Sequence, residues 1–184
     1  MGCLFSIRQN SSDRNYSRLE GTEVHDLIVN VLETWASYFA NHRALRTFID
    51  FLHVGGLLAG GGAAIFADRI TLMARRLGPA ARIEQLNTLR GTHRFVLAGL
   101  AAVIVSGLLL VAADTDTFLY SKLFWTKMAL FALLLGNGAF LVRAEHRAEL
   151  GDEHAWKRLT ATSAASIVLW FLTTLAGTGL LNMG

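Results

Sequence analysis

FLHVGGLLAGGGAAIFA, residues 51–67, runs uncharged between Asp50 and Asp68 and contains one histidine. Extended back to Thr47 it makes 21 residues, or about 31 Å of helix at roughly 1.5 Å per residue. That matches a bilayer hydrocarbon core of about 30 Å. Three more such runs follow. Residues 95–113 carry no charge, Leu123–Val142 carries only Lys127, and the chain after Arg158 is uncharged to Gly184. The last run is rich in Thr and Ser, whose hydroxyls can bond back to their own helix. A water-soluble bundle needs a polar face on most of its helices. The first, second and fourth runs have none. The reading is an all-α polytopic membrane protein, a four-transmembrane-helix bundle over 47–184 with spans at about 47–67, 93–113, 120–142 and 159–181.

Composition agrees. Of 184 residues, 53% are hydrophobic and 17% charged, against about 25% charged in an ordinary soluble domain. The formal net charge of +3 would permit a nucleic-acid partner, but the cations gather at membrane faces and none is expected. Cys3 is the single cysteine, so one chain can form no internal disulfide and no cysteine-based metal site. Residues 1–18 contain no apolar core of a cleavable signal sequence.

Lys and Arg beside the spans set the expected orientation. Arg69, Arg75, Arg76, Arg82, Arg90 and Arg94 lie between spans one and two, and Arg143, Arg147, Lys157 and Arg158 between spans three and four. The opposite side holds Arg8, Arg14, Arg18, Arg43, Arg46 and Lys122. Both termini are therefore expected outside, in a membrane whose Ala-, Gly-, Leu- and Arg-rich protein suggests a bacterial inner membrane.

Ahead of span one, residues 1–21 read as a polar, loose N-terminus and 22–46 as an amphipathic interfacial helix. Val24, Leu27, Ile28, Val31, Leu32, Trp35, Phe39 and Leu45 recur at helical spacing, opposite Glu23, Asp26, Asn30, Glu33 and Ser37. Thr22 suits the N-cap. Such a helix lies in the headgroup layer, or is covered by a partner or second copy. The opening Met-Gly-Cys-Leu-Phe-Ser matches a short myristoylation pattern at Gly2, which acts on cytosolic N-termini and conflicts with that orientation.

Ionisable groups inside spans are costly and usually face a bundle interior, a partner or a cavity. His53 and Lys127 both fall about 9–10 Å into spans that run inward from the outside. Asp50, one turn before His53, can reach its ring or meet Lys127. A neutral imidazole ligates haem iron well when its second nitrogen has an acceptor; a lysine can hold a propionate or, when neutral, ligate iron. An inter-helix hydrogen bond for His53 and a snorkelling amine for Lys127 are the structural alternatives. Gly56 and Gly60 strip one face of span one, which admits either another backbone or a flat macrocycle. Gly99, Gly107, Gly136 and Gly138 offer similar close contacts. At the inner ends His93 and His146 are placed for a second, bis-histidine site or for the surface. His146, Glu149, Glu153 and His154 form a loose polar cluster without the spacing of a zinc signature. No phosphate-binding loop, dinucleotide fingerprint or nucleophile elbow is present.

The order Leu52-His53 with glycines in span one, Val105-Ser106-Gly107-Leu108 in span two and Phe124-Trp125-Thr126-Lys127-Met128 at the head of span three resembles the HemJ-type protoporphyrinogen IX oxidases and the related CopD-like four-helix membrane proteins. The resemblance covers residues 47 to about 142. It implies haem b, with His53 and Lys127 as the key residues and His53 as metal ligand; the spacing read above adds Asp50, Gly56 and Gly60 as candidates around the cofactor. It further implies a membrane oxidoreductase acting on a porphyrinogen and passing electrons to quinone. The chain differs from the short oxidases in its N-terminal arm, in the late position of Arg69 and in lacking a tryptophan shortly after the first-helix histidine. Two other functions fit the residues: a structural or assembly subunit of a larger membrane complex or homo-oligomer, and a small metal-handling transporter.

Overall fold

The computed structural model describes residues 23–89 and 91–183, all of them in helices or short connections. The myristoylation pattern and the Thr22 cap lie outside the described residues. Helix α1 covers 23–41. His42 breaks it with φ −112° and ψ 85°, so the expected single helix over 22–46 is cut short, and Leu45 belongs to the next element. That element is a long rod in three parts: α2 (Arg43–Gly56), a π turn (Leu57–Gly61) and α3 (Gly62–Ala74). The connection to span two carries α4 (Pro79–Leu89), with the only proline at its first position, where a missing N–H costs nothing. Span two is α5 (Thr92–Ala113), followed by the short α6 (Thr115–Tyr120). Spans three and four are α7 (Lys122–Glu149) and α8 (Glu153–Met183).

Local chemistry sets these boundaries. Asp114 caps α6 by accepting from the Thr117 N–H at 3.3 Å, and Ser121 caps α7 by accepting from the Phe124 N–H at 3.3 Å. Gly151, at φ 87°, stops α7; its N–H bonds the Ala148 carbonyl at 3.1 Å, the left-handed stop that glycine favours. Asp152 then accepts from the His154 N–H at 2.8 Å and opens α8. Within α8, Thr160 donates to the Trp156 carbonyl and Thr174 to that of Trp170, each at 2.8 Å. These hydroxyls of an otherwise apolar span are thereby satisfied inside their own helix, while those of Ser163 and Thr173 are buried without such a partner.

Four helices, Arg43–Ala74, Thr92–Ala113, Lys122–Glu149 and Glu153–Leu180, are long and apolar enough to cross a membrane. Their surfaces are lipid-like: Phe51, Leu58, Phe95, Leu108, Phe171 and Leu175 are all more than half exposed. An apolar surface of that extent suits lipid as its solvent, and the chain is an integral membrane protein with an N-terminal helix that does not span.

The spans pair as two helical hairpins. α2 packs along α5, and α7 along α8. The hairpins join through α3 on α8 and through α4 on α3 and α7, while no comparable packing ties α2 to α7 or α8. The molecule is therefore tight at its arginine-rich end, where α4 lies, and looser between the hairpins at the end that bears the termini. The tight end has an apolar core of Leu86, Ala144, Ala148, Ala155, Trp156 and Leu159. Arg82 pins α4 there: it donates to the Arg75 carbonyl at 2.9 Å, lies 5.3 Å over the Trp156 ring and sits 3.5 Å from Glu153. At the other end, the Trp35 indole of α1 donates to the Leu109 carbonyl of α5 at 3.0 Å, which holds α1 against span two with Val24, Leu27, Ile28 and Val31 exposed.

Candidate functional site

α2 and α5 approach so closely that glycine is needed on both. A Cβ on Gly99 would fall 2.5 Å from the Gly60 Cα and 2.7 Å from the Gly56 carbonyl oxygen. The face of Gly56 and Gly60 is thus filled by the backbone of span two. This corrects the expectation that these glycines make room for a macrocycle. Gly61, the next residue, lies under the Trp170 ring of α8, 2.9 Å from where its Cβ would be. Gly136 and Gly138 face open space, so the close contacts expected of them are not made within the chain.

One turn toward the terminal end from Gly56, the His53 imidazole crosses to α5. Its Cε1 lies 3.3 Å from where a Cβ on Gly107 would stand, so the absent side chain there gives the ring its place. Nδ1 is 3.0 Å from the Ser106 Oγ. Ser106 is fully buried and donates its own proton to the Ala102 carbonyl at 2.5 Å. With that proton committed, the serine oxygen accepts, and Nδ1 must donate. The tautomer follows: Nδ1 carries the hydrogen and Nε2 the lone pair.

Lys127 belongs to the other hairpin. Its Nζ lies 3.5 Å from where a Cβ on Gly177 would stand, so a glycine of α8 again makes the space. Measured from the ends of α5 and α7, His53 and Lys127 sit at similar depths of about 7–10 Å. Lys127 is close enough to act electrostatically on His53, as is Asp50. Asp50 itself is exposed and makes no hydrogen bond to the ring, whose Nδ1 goes to Ser106 instead. The structure therefore brings His53 and Lys127 to the same end of the bundle on different hairpins, leaves Asp50 at the rim, and turns Gly56 and Gly60 away.

The second histidine pair does not form. His93 Nε2 meets Glu145 Oε2 at 2.8 Å, whereas His146 is exposed and lies 4.0 Å from Glu149. Among the described residues no group of three or more His, Cys, Asp or Glu side chains is placed to hold a metal ion.

Sequence reasoning missed a buried polar joint at the arginine-rich end. Asp68 of α3 is 4% exposed, Glu145 of α7 8%, and Ser163 and Ser166 of α8 0% and 6%. Asp68 faces both serines and lies within electrostatic reach of Glu145 and His93. All four spans contribute to this joint. A signal was present: Ser163 and Ser166 repeat at three residues on one face of α8, and Ala144 and Ala148 flank Glu145 as small residues on one face of α7, a pattern of close packing around a polar group.

Compared with known protein families, with curated proteins and with solved structures, the chain matches none.

Proposed function

We propose that the chain is a haem-b-holding membrane oxidoreductase, in which His53 would hold the iron and Lys127 would supply a cation to the group. The observation that carries this is the Ser106–His53 hydrogen bond. A ligating histidine commonly donates its second ring N–H to an acceptor, which fixes the ring and raises its basicity, and His53 has that arrangement with its Nε2 lone pair uncommitted. The residues fit the group in a second respect. Lys127 stands on the facing hairpin at matched depth, where an ammonium would hold a propionate and favour an acidic tetrapyrrole. Bound haem would supply one-electron transfer; the chain's own part is to orient the ligand through Ser106, to place a cation through Gly177, and to keep water out with its apolar surround. In this reading the substrate is a reduced tetrapyrrole entering from the bilayer, and quinone takes the electrons. On this reading both termini lie outside a bacterial inner membrane, the orientation that the arginine bias favours.

The test is a reduced-minus-oxidised optical spectrum of the detergent-purified protein from haem-replete cells. A haem-b signal lost in His53→Ala and shifted in Lys127→Ala is expected. A colourless preparation would overturn the reading.

One observation favours a second function, an assembly subunit or homo-oligomer. Only 6% of the most apolar window of span three is buried, and Gly136 and Gly138 on that span face nothing within the chain. Small residues left bare in lipid are what helix–helix association uses. Copurification with other membrane subunits and no pigment is the result that would select it.

A further inference from the structure

The joint at the arginine-rich end contains more buried acid than a structural polar contact requires. Asp68 meets hydroxyls, not a cation: Ser163 and Ser166 face it from α8. Among the described residues, the charged groups acting on Asp68 are Glu145 from α7, a like charge when ionised, and His93 from α5, which is already bonded to Glu145 at 2.8 Å. α4 also packs on α3. An ionised carboxylate in that setting is costly, because neither lipid nor the serines neutralise it. The Ser163 hydroxyl adds an independent observation. It is 0% exposed and faces Asp68, with no partner in good hydrogen-bond geometry. A buried hydroxyl with no partner calls for a donor or acceptor beside it, and a protonated Asp68 supplies both.

Access to this position is polar on one side only. His93 is partly exposed, with 38% of its side chain accessible, and its bonded partner Glu145 lies deeper at 11%. Glu149, one turn beyond Glu145, also acts on His93 electrostatically. By exposure the order from solvent inward is His93 at 38%, Glu149 at 17%, Glu145 at 11% and Asp68 at 4%. On the other side lie the Trp170 ring over Gly61 and the Gly56/Gly60–Gly99 contact, which hold no ionisable group.

We infer that Asp68 is a proton-binding site of the membrane domain, loaded from the arginine-rich face through the His93–Glu145 pair. The proton comes from water at that face; the imidazole passes it to the Glu145 carboxylate, and Asp68 takes it as the neutral acid, hydrogen-bonded to Ser163 and Ser166. No redox partner is involved, and the inference does not depend on haem at His53. Its partner is the proton; among the described residues no group of side chains is placed to hold a metal ion.

Infrared difference spectroscopy of the full chain in lipid nanodiscs tests it, with the buffer exchanged from H2O to D2O and stepped in pH. Expected is a high-frequency carboxylic-acid C=O band that grows as the pH is stepped down and shifts in D2O. It should be lost in Asp68→Asn and retained but displaced in Ser166→Ala. The deuterium shift should appear more slowly in Glu145→Gln and in His93→Gln. An unchanged spectrum in Asp68→Asn would overturn the site. Should Asp68→Asn fail to fold, a Ser166→Ala band at the wild-type position would overturn it equally. An exchange rate untouched by both Glu145→Gln and His93→Gln would overturn the route. The optical test of His53 reads a different signal at the other end of the bundle, so the two failures are distinguishable.

Discussion

The two ends of the bundle are built on opposite plans. At the arginine-rich end α4, α7 and α8 share an apolar core, all four spans share a polar joint, and Arg82 fastens the cap with a hydrogen bond, an ion contact and a ring. At the terminal end each hairpin keeps to itself: His53 leans on Ser106 and Gly107 of its own partner helix, and Lys127 on Gly177 of its own. The tight end supplies rigidity to rods that reach across the membrane. At the loose end the two polar side chains sit on separate hairpins, each against a glycine of its own partner helix, so the architecture separates a cross-braced end from one that is not cross-braced by the length of a span.

The comparison is broken most severely at the seam between α2 and α5. Gly99→Leu puts a side chain into the Gly60 backbone, which cannot move aside without parting the helices, and loss of folded protein is expected. Gly99→Ala should cost about 1–3 kcal/mol as an overpacked contact. Gly138→Ala, with open space before it, should stay within about 0.5 kcal/mol. Thermal unfolding in detergent ranks the three, and equal effects at Gly99 and Gly138 would contradict the seam. At the other end, Glu145→Ala strands His93 and opens the joint, and a loss of about 1–3 kcal/mol is expected for the unpaired buried group. Glu145→Gln, which can still accept from His93, should cost less by the same measurement. Ser106→Ala should cost the fold about 1 kcal/mol. It removes the acceptor that sets the His53 tautomer, so on the proposed haem reading retention of the pigment should fall about 10–100-fold. Pigment per protein after dialysis measures it, and unaltered retention with intact folding would show that Ser106 does not orient the ligand.

Hydropathy made the four spans legible because lipid imposes length and apolarity on any helix that crosses it. His53 and Lys127 were legible for the same reason: each interrupts an apolar run. Asp68 and Glu145 were not, because each lies at the edge of a run and looks like the first charge of a solvated loop. The helices outrun the apolar segments. α3 continues to Ala74 and α7 to Glu149, so acids that seem to stand outside the membrane are wrapped by neighbouring helices. Nor does sequence alone reveal which spans pair. The fate of Gly56 and Gly60 depended on that, since the same stripe admits a backbone or a ring, and the position of Gly99 on the facing helix decided it.

The π turn at Leu57–Gly61 has a consequence for how such chains diverge. A turn that takes in one extra residue swings everything beyond it by about 100°. It acts as a phase shifter in a single rod, so that Gly56 addresses α5 while Gly61 addresses Trp170 and Asp68 addresses the serines of α8. Deleting one residue from this stretch would leave length, hydropathy and span count almost unaltered, yet would aim the acid away from its serines. Two chains alike in every bulk property and differing by one residue here would carry the histidine alike, and only one of them would close the polar joint.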